Sequence, residues 1–414
     1  MLDLLANTWG LWSRLGVVLL YLAPLPLAYL FVKLYFLYIR SDYLAKQKWL
    51  LLEIKLPAEV SKSPAAMEIV LTALHQTSEG NLIEYYTDGR VRPWFSLELV
   101  SLGGTVHFFI YTQDKFRNMI ESQVYSQYPT AEIYEVDDYT QFVPYGAADS
   151  TWSIWGLEFQ LTKADPYPIK TYVDYGLDKD PKEEFKVDPL TALLELLGSL
   201  GREEQMWLQI LVMATRDRRK KPGSWFGKEG WKEEGKALIK EITTKYAKKG
   251  PSGELYDSEL SVPKAERDVI EAINRGIAKY GFDCGIRMIY LAPSDNFNGT
   301  NIPRMLSGLK QFGSQNLNGF KPLKTTSYDY PWQDPFGVRV VKAKRMLFDA
   351  YRHRGYFYWP YNKYWPYNKR KIMVLNTEEL ATLFHFPGQV AETPTLNRIP
   401  SKRGEPPSNL PLGR

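Results

Sequence analysis

The chain has 414 residues, 44% hydrophobic and 24% charged, the balance of a packed protein rather than a disordered one. Its single cysteine, Cys284, excludes an intramolecular disulfide, and one cysteine with four scattered histidines excludes the usual structural zinc ligand sets. The net charge of +5 is small, but it is unevenly distributed.

Leu15 to Val32 carries no charge, and the apolar run resumes after Lys33 as far as Ile39, bracketed by Arg14 and Arg40. A helix needs roughly 20 apolar residues to cross hydrocarbon. Residues 1–44 are therefore expected to form an N-terminal segment with a retained transmembrane anchor, kinked at Pro24 and Pro26. The run is too long for a cleaved signal peptide, and no small-residue cleavage site follows it. Arg40, Lys46, Lys48, Lys55 and Lys62 follow the run, whereas Arg14 alone precedes it. The positive-inside rule then predicts a single-pass protein of the cell membrane, with its N-terminus outside and its C-terminal domain cytoplasmic.

Residues 45–146 read as one unit. Trp49–Leu56 predicts a strand. Ser63-Pro64 opens a helix with Met67, Val70, Leu71 and Leu74 on one face. Phe95, Leu97 and Leu99 alternate with Ser96 and Glu98, the pattern of a half-buried strand. Gly103-Gly104 turns the chain into Thr105–Tyr111, a register that sets Leu97 opposite Ile110 and Leu99 opposite Phe108. Asp114 is expected to cap a second helix bearing Phe116, Met119, Ile120 and Val124, and Ala131–Val136 closes the unit. The order β-α-β-β-α-β is that of the ferredoxin-like split unit.

Residues 147–295 predict a second, looser α/β unit: strand Trp152–Leu161, a helix from Asp188-Pro189, strand Met206–Ala214, helix Pro263–Tyr280 and strand Ile286–Leu291. A basic insertion, 216–250, interrupts it. Residues 296–386 form a basic, aromatic region ending in a short helix. Six prolines between 387 and 411 mark an extended tail, 387–414. The expected fold class is thus α+β, with an N-terminal transmembrane helix, a ferredoxin-like unit, the looser unit and a Pro-rich tail.

No phosphate loop, nucleophile elbow or H-E-x-x-H motif occurs; the acidic pairs Asp137-Asp138 and Glu378-Glu379 are adjacent, which on a strand points the two side chains apart, and Glu378-Glu379 after Thr377 fits the first turn of a helix instead. The residues alone therefore predict neither an enzyme nor a cofactor. Two basic segments remain: 216–250 has a net charge of +7 and 339–371 of +9. The first has lysines at helical spacing, Lys232, Lys236 and Lys240, the pattern of a solvated face. The second repeats Tyr-Trp-Pro-Tyr-Asn-Lys at 358–363 and 364–369. Interleaved cations and aromatics stack on bases and neutralise phosphates, or sit at an anionic surface. The candidate contacts are Arg352, Arg354, Trp359, Lys363, Trp365, Lys369, Arg370 and Lys371; a packed hairpin is the competing reading. Thr377–Phe384, capped by Asn376, puts Leu380, Leu383 and Phe384 on one face, a candidate docking stripe.

Several stretches share a resemblance. Met67–His75, Phe95–Ser101, Glu121–Thr140, Asp188–Ala214, Asn376–Gly388 and Lys402–Pro411 resemble the membrane-proximal N-terminal region of HerA-like conjugation and type IV secretion ATPases. The most specific pieces are the run from Glu121 to Pro129 and the run from Thr377 to Pro387. In that family a Leu-Pro ending such as Leu410-Pro411 leads into the motor with its phosphate loop. The resemblance implies a non-enzymatic membrane component of a DNA or protein translocation apparatus, docking a separate HerA-like ATPase and assembling as a homo- or hetero-oligomer. A nucleic-acid-binding module using 339–371 is the alternative.

Overall fold

The computed structural model describes residues 22–57, 62–145, 151–178, 187–216, 219–220, 228–246, 248–249, 255–256, 262–328, 330–364, 372–388 and 398–399. Ten strands form one sheet: β1 (Trp49–Pro57), β2 (Trp94–Leu102), β3 (Thr105–Gln113), β4 (Glu132–Val136), β5 (Trp152–Leu161), β6 (Gln205–Ala214), β7 (Gly281–Pro293), β8 (Phe320–Thr325), β9 (Met373–Asn376) and β10 (Arg398–Ile399). Across the sheet the order is β8-β5-β7-β6-β2-β3-β1, with β4 and β10 along the outer edge of β1 and β9 beside the start of β7. Every pairing is antiparallel except that of the two-residue β10, which runs parallel to β1.

This corrects the expected division into a ferredoxin-like unit and a separate second unit. The edge of β2 that a stand-alone unit would leave free pairs with β6 from Trp94–Met213 to Leu102–Gln205. That seam fuses residues 45–146 to 147–295 in one sheet, because an unpaired apolar strand edge is costly to leave in water. The strand order mirrors itself about the seam: β3 then β1 on one side, β7 then β5 on the other.

The helices are α1 (Pro24–Ala45), α2 (Ala65–Ala73), α3 (Arg117–Gln127), α4 (Pro189–Gly198), α5 (Trp231–Tyr246), α6 (Lys264–Ile277), α7 (Asn301–Ser307), α8 (Val338–Arg352) and α9 (Thr377–Leu383). One sheet face is covered by α2, α3, α4, α7 and α9 around Leu97, Phe108, Leu208 and Ile286. The other is covered by α8, through Ala343, Leu347, Phe348 and Tyr351 against Val100, Phe109, Trp207 and Ile289. The hairpin register is the expected one, Leu97 opposite Ile110 and Leu99 opposite Phe108. Asp188 caps α4 by accepting from the Leu190 N–H at 2.8 Å, and Asn376 caps α9 in a reciprocal pair with Glu379. Asp114 is no cap: it lies in a 3-10 turn, and its N–H bonds the Lys48 carbonyl.

The transmembrane anchor is also corrected. Among the described residues no helix is long and apolar enough to cross a membrane, so neither the span nor the single-pass membrane localisation stands. Lys33, Arg40 and Asp42 interrupt α1, and its end is tied into the domain. Ile39 and Leu44 are buried there, Arg40 donates to the Tyr85 hydroxyl at 2.5 Å, and Phe36 packs on the Tyr86 ring. Residues 1–21, where the apolar run begins, lie outside the described residues.

Candidate functional site

Polar residues line up across the sheet on the α8 side. Register places Glu53 of β1 opposite Phe109 of β3, Phe109 opposite Glu98 of β2, and Glu98 opposite Gln209 of β6. Gln209 in turn faces Arg287 of β7, and Arg287 faces Glu158 of β5. Glu98, Gln209, Arg287 and Glu158 are all fully buried. Ser96 and Glu98 were expected on a solvated face; α8 and the chain behind it cover them instead.

The C-terminal end of α8 supplies the countercharge. The N–H groups of His353, Arg354 and Gly355 bond back to Asp349, Tyr351 and Ala350. This tight turn leaves Arg354 left-handed, at φ 47°, a conformation that costs a non-glycine residue about 1–2 kcal/mol. The turn aims the Arg354 side chain into the β2–β6 seam, where it is fully buried. Its Nε and Nη2 donate to Glu98 Oε1 and Oε2 at 3.0 and 3.1 Å, its Nη2 donates to Asp138 Oδ1 at 3.1 Å, and its Nη1 donates to Asp138 Oδ2. Its guanidinium also lies 4.4 Å from the centre of the Tyr111 ring. Glu98 accepts further from Ser96 Oγ, Tyr139 OH and Gln209 Nε2, and Tyr351 OH lies 2.9 Å from Tyr139 OH. Arg287 donates to the carbonyls of Ala350 and Gly355. The buried Glu98 and Arg354 are thus paired with each other and hydrogen-bonded, the condition for keeping such charges inside.

The protonation states follow. Burial works against the charge of Arg354, but Glu98 and Asp138 outweigh it and hold its pKa well above the usual arginine value. Burial also opposes ionisation of Asp138, yet the Arg354 charge and the bonds from Arg354 and Thr140 bring its pKa below the ordinary carboxylate value. Burial, then the nearby Glu98 charge, pushes Tyr139 and Tyr351 far up, so both stay neutral. At the row's end, the bond between His107 and Glu53, 2.7 Å long, holds the Glu53 carboxyl down.

The chain belongs to the DUF8128 family, a domain of unknown function, whose family model matches residues 42–398. The match takes in the whole row, from Glu53 to Arg354. No curated protein matches the chain. The family description gives no link to HerA-like, secretion or conjugation proteins.

Of the residues singled out as nucleic-acid contacts, Arg354 is fully buried, its guanidinium bound to the buried Glu98 and the half-buried Asp138, and so does not face solvent. Arg352 is half-buried, with its guanidinium over the Phe348 ring, and Trp359 is exposed. Lys363 lies in the 3-10 turn Tyr361–Tyr364. Trp365, Lys369, Arg370 and Lys371 lie outside the described residues, as do most of the 216–250 insertion's loops and most of the 387–414 tail. Leu380, Leu383 and Phe384 are not available for docking, because α9 buries them against its own sheet. Lys236 and Lys240 do lie on the solvated face of α5.

Sequence reasoning missed the row itself. Its signal was a lone Gln209 and a lone Arg287, each inside an otherwise apolar strand, where a buried polar group demands a partner. It also missed the exposed apolar residues at two places. One is Leu82 and Ile83 beside α1, whose own apolar run was read as a membrane span; the other is the stretch from Tyr328 to Val341.

Proposed function

We propose that the chain is a non-enzymatic assembly component that docks a separate HerA-like ATPase, the partner that the sequence resemblance favours. The observation that carries the reading is the apolar surface of α1. Leu25, Leu27, Phe31 and Leu34 are exposed along it. Leu82 and Ile83, 76% and 72% exposed, extend it onto the neighbouring turn, which Tyr35 reaches through a hydrogen bond to the Tyr86 carbonyl. A contiguous apolar face of this kind marks an interaction site. The polar row, in contrast, is closed to solvent, so its charges serve the fold rather than a substrate.

The test is co-purification of the HerA-like ATPase from the same cell with the full chain and with Leu82→Glu/Ile83→Glu. Both side chains are exposed, so the variant keeps its thermal stability. Recovery of the ATPase is expected to fall by about tenfold or more, as two charges in an apolar contact cost several kcal/mol. Equal recovery with both chains refutes the reading.

A further inference from the structure

The stretch that leads into α8 carries a second exposed surface, of different chemistry. Trp332 is 73% and Phe336 89% exposed, and the Tyr330 and Trp332 rings stack at 4.6 Å and 11°. The turn holding them is built onto the helix. Asp334 Oδ2 accepts from the Val340 N–H at 2.7 Å, Gly337 turns the chain at φ 70°, and Arg339 Nη1 donates to the Gln333 carbonyl at 3.0 Å. That last bond ties Arg339 to the residue that follows Trp332 in the chain. Lys342 and Arg345 continue along the solvent side of α8, opposite the buried Ala343, Leu347 and Phe348. Among the described residues, Arg339, Lys342 and Arg345 form no ion pair with a carboxylate.

We propose that this strip, Tyr330 to Arg345, binds single-stranded nucleic acid, with Trp332 and Phe336 stacking on bases and Arg339, Lys342 and Arg345 meeting phosphates. Both stacked residues are exposed, and every base has a face that fits an aromatic ring whatever its sequence. Rings ordered against one another lose little freedom when a base adds to the stack. Three cations spaced along one side of a helix match a phosphate backbone better than a single anionic side chain. The proposal is independent of the α1 docking surface, which lies on other residues.

The experiment is fluorescence anisotropy of a labelled oligothymidylate titrated with the full chain between 50 and 200 mM salt. Three phosphate contacts predict a slope of log affinity against log salt of about −2, hence a loss of roughly fifteen- to twentyfold across that range. Trp332→Ala and Phe336→Ala should each weaken binding by about tenfold. Arg339→Gln/Lys342→Gln/Arg345→Gln should flatten the slope to near zero. All five side chains are exposed, and unchanged melting temperatures keep folding out of the comparison. Absence of binding at 50 mM salt overturns the proposal. Equal affinity for a duplex of the same length shows that bases are not stacked, and equal affinity for polyglutamate makes the strip a site for an acidic protein; either result also overturns it.

Discussion

Arg354→Met removes the guanidinium from the β2–β6 seam while keeping a long apolar stem. The variant loses two bonds to Glu98 and two to Asp138, and it leaves the Glu98 carboxylate fully buried without a countercharge. Removing one partner of a buried ion pair costs about 3–5 kcal/mol. The contact with Tyr111 adds about 0.5–2 kcal/mol. Ser96, Tyr139 and Gln209 still donate to Glu98, which keeps the loss near the lower end of the summed range, about 4 kcal/mol. At about 1.2 °C per kcal/mol for a chain of this size, the melting temperature should fall by roughly 5 °C. The assay is denaturant and thermal unfolding of wild type, Arg354→Met, Glu98→Gln and the double variant. The double variant should be more stable than the two single losses summed, with a coupling of at least about 2 kcal/mol, because neither charge is then left alone. If Arg354→Met unfolds within about 1 kcal/mol of wild type, the seam is not held by this pair and the reasoning fails.

Gly355→Ala should destabilise by at least about 2 kcal/mol in urea unfolding, since its Cβ would collide with the Tyr361 carbonyl, which is backbone and gives way poorly. Burial pushes the Glu379 carboxyl up to about 8, against the two backbone N–H groups, of Asn376 and Ile169, that donate to it. A folded pKa raised in this way gives stability that is full below the unfolded value near 4.5 and is lost as pH rises through 8. Comparing unfolding free energies at pH 5.5 and 8.5 should show that loss in wild type and a smaller one in Glu379→Gln; identical pH dependence would show that Glu379 is ionised in the fold throughout.

Local features were legible because they are encoded by neighbours in sequence. The Gly103-Gly104 turn fixes the β2–β3 register, and Asp188 and Asn376 sit where a helix needs an acceptor. The seam was not legible. Residues 94–102 and 205–214 carry the same strand pattern whether each is an edge or a centre, and nothing local says that they pair. Arg354 was misread for a related reason. It sits in a basic, aromatic stretch, and its partner Glu98 is 256 positions away, so composition suggested a surface where burial made a core. The transmembrane reading weighed the uncharged length of the run above Lys33, Arg40 and Asp42, and it had no means of seeing Arg40 pair with Tyr85.

The seam also bears on how the two exposed surfaces work together. The proposed nucleic-acid strip is the turn before α8 and the first half of that helix, whose other end delivers Arg354 to Glu98. The α1 surface ends in Leu44, which packs with Trp94, Met213 and Tyr356; Trp94 and Met213 are themselves opposite one another across the β2–β6 pairing. Both surfaces are thus fastened to the same two central strands. The buried Arg354–Glu98 pair resists partial rearrangement, because moving one member strands a charge in the interior. The strip and the α1 face are therefore held at a fixed separation and orientation. If both proposals hold, the central seam presents the two partners to each other in this geometry.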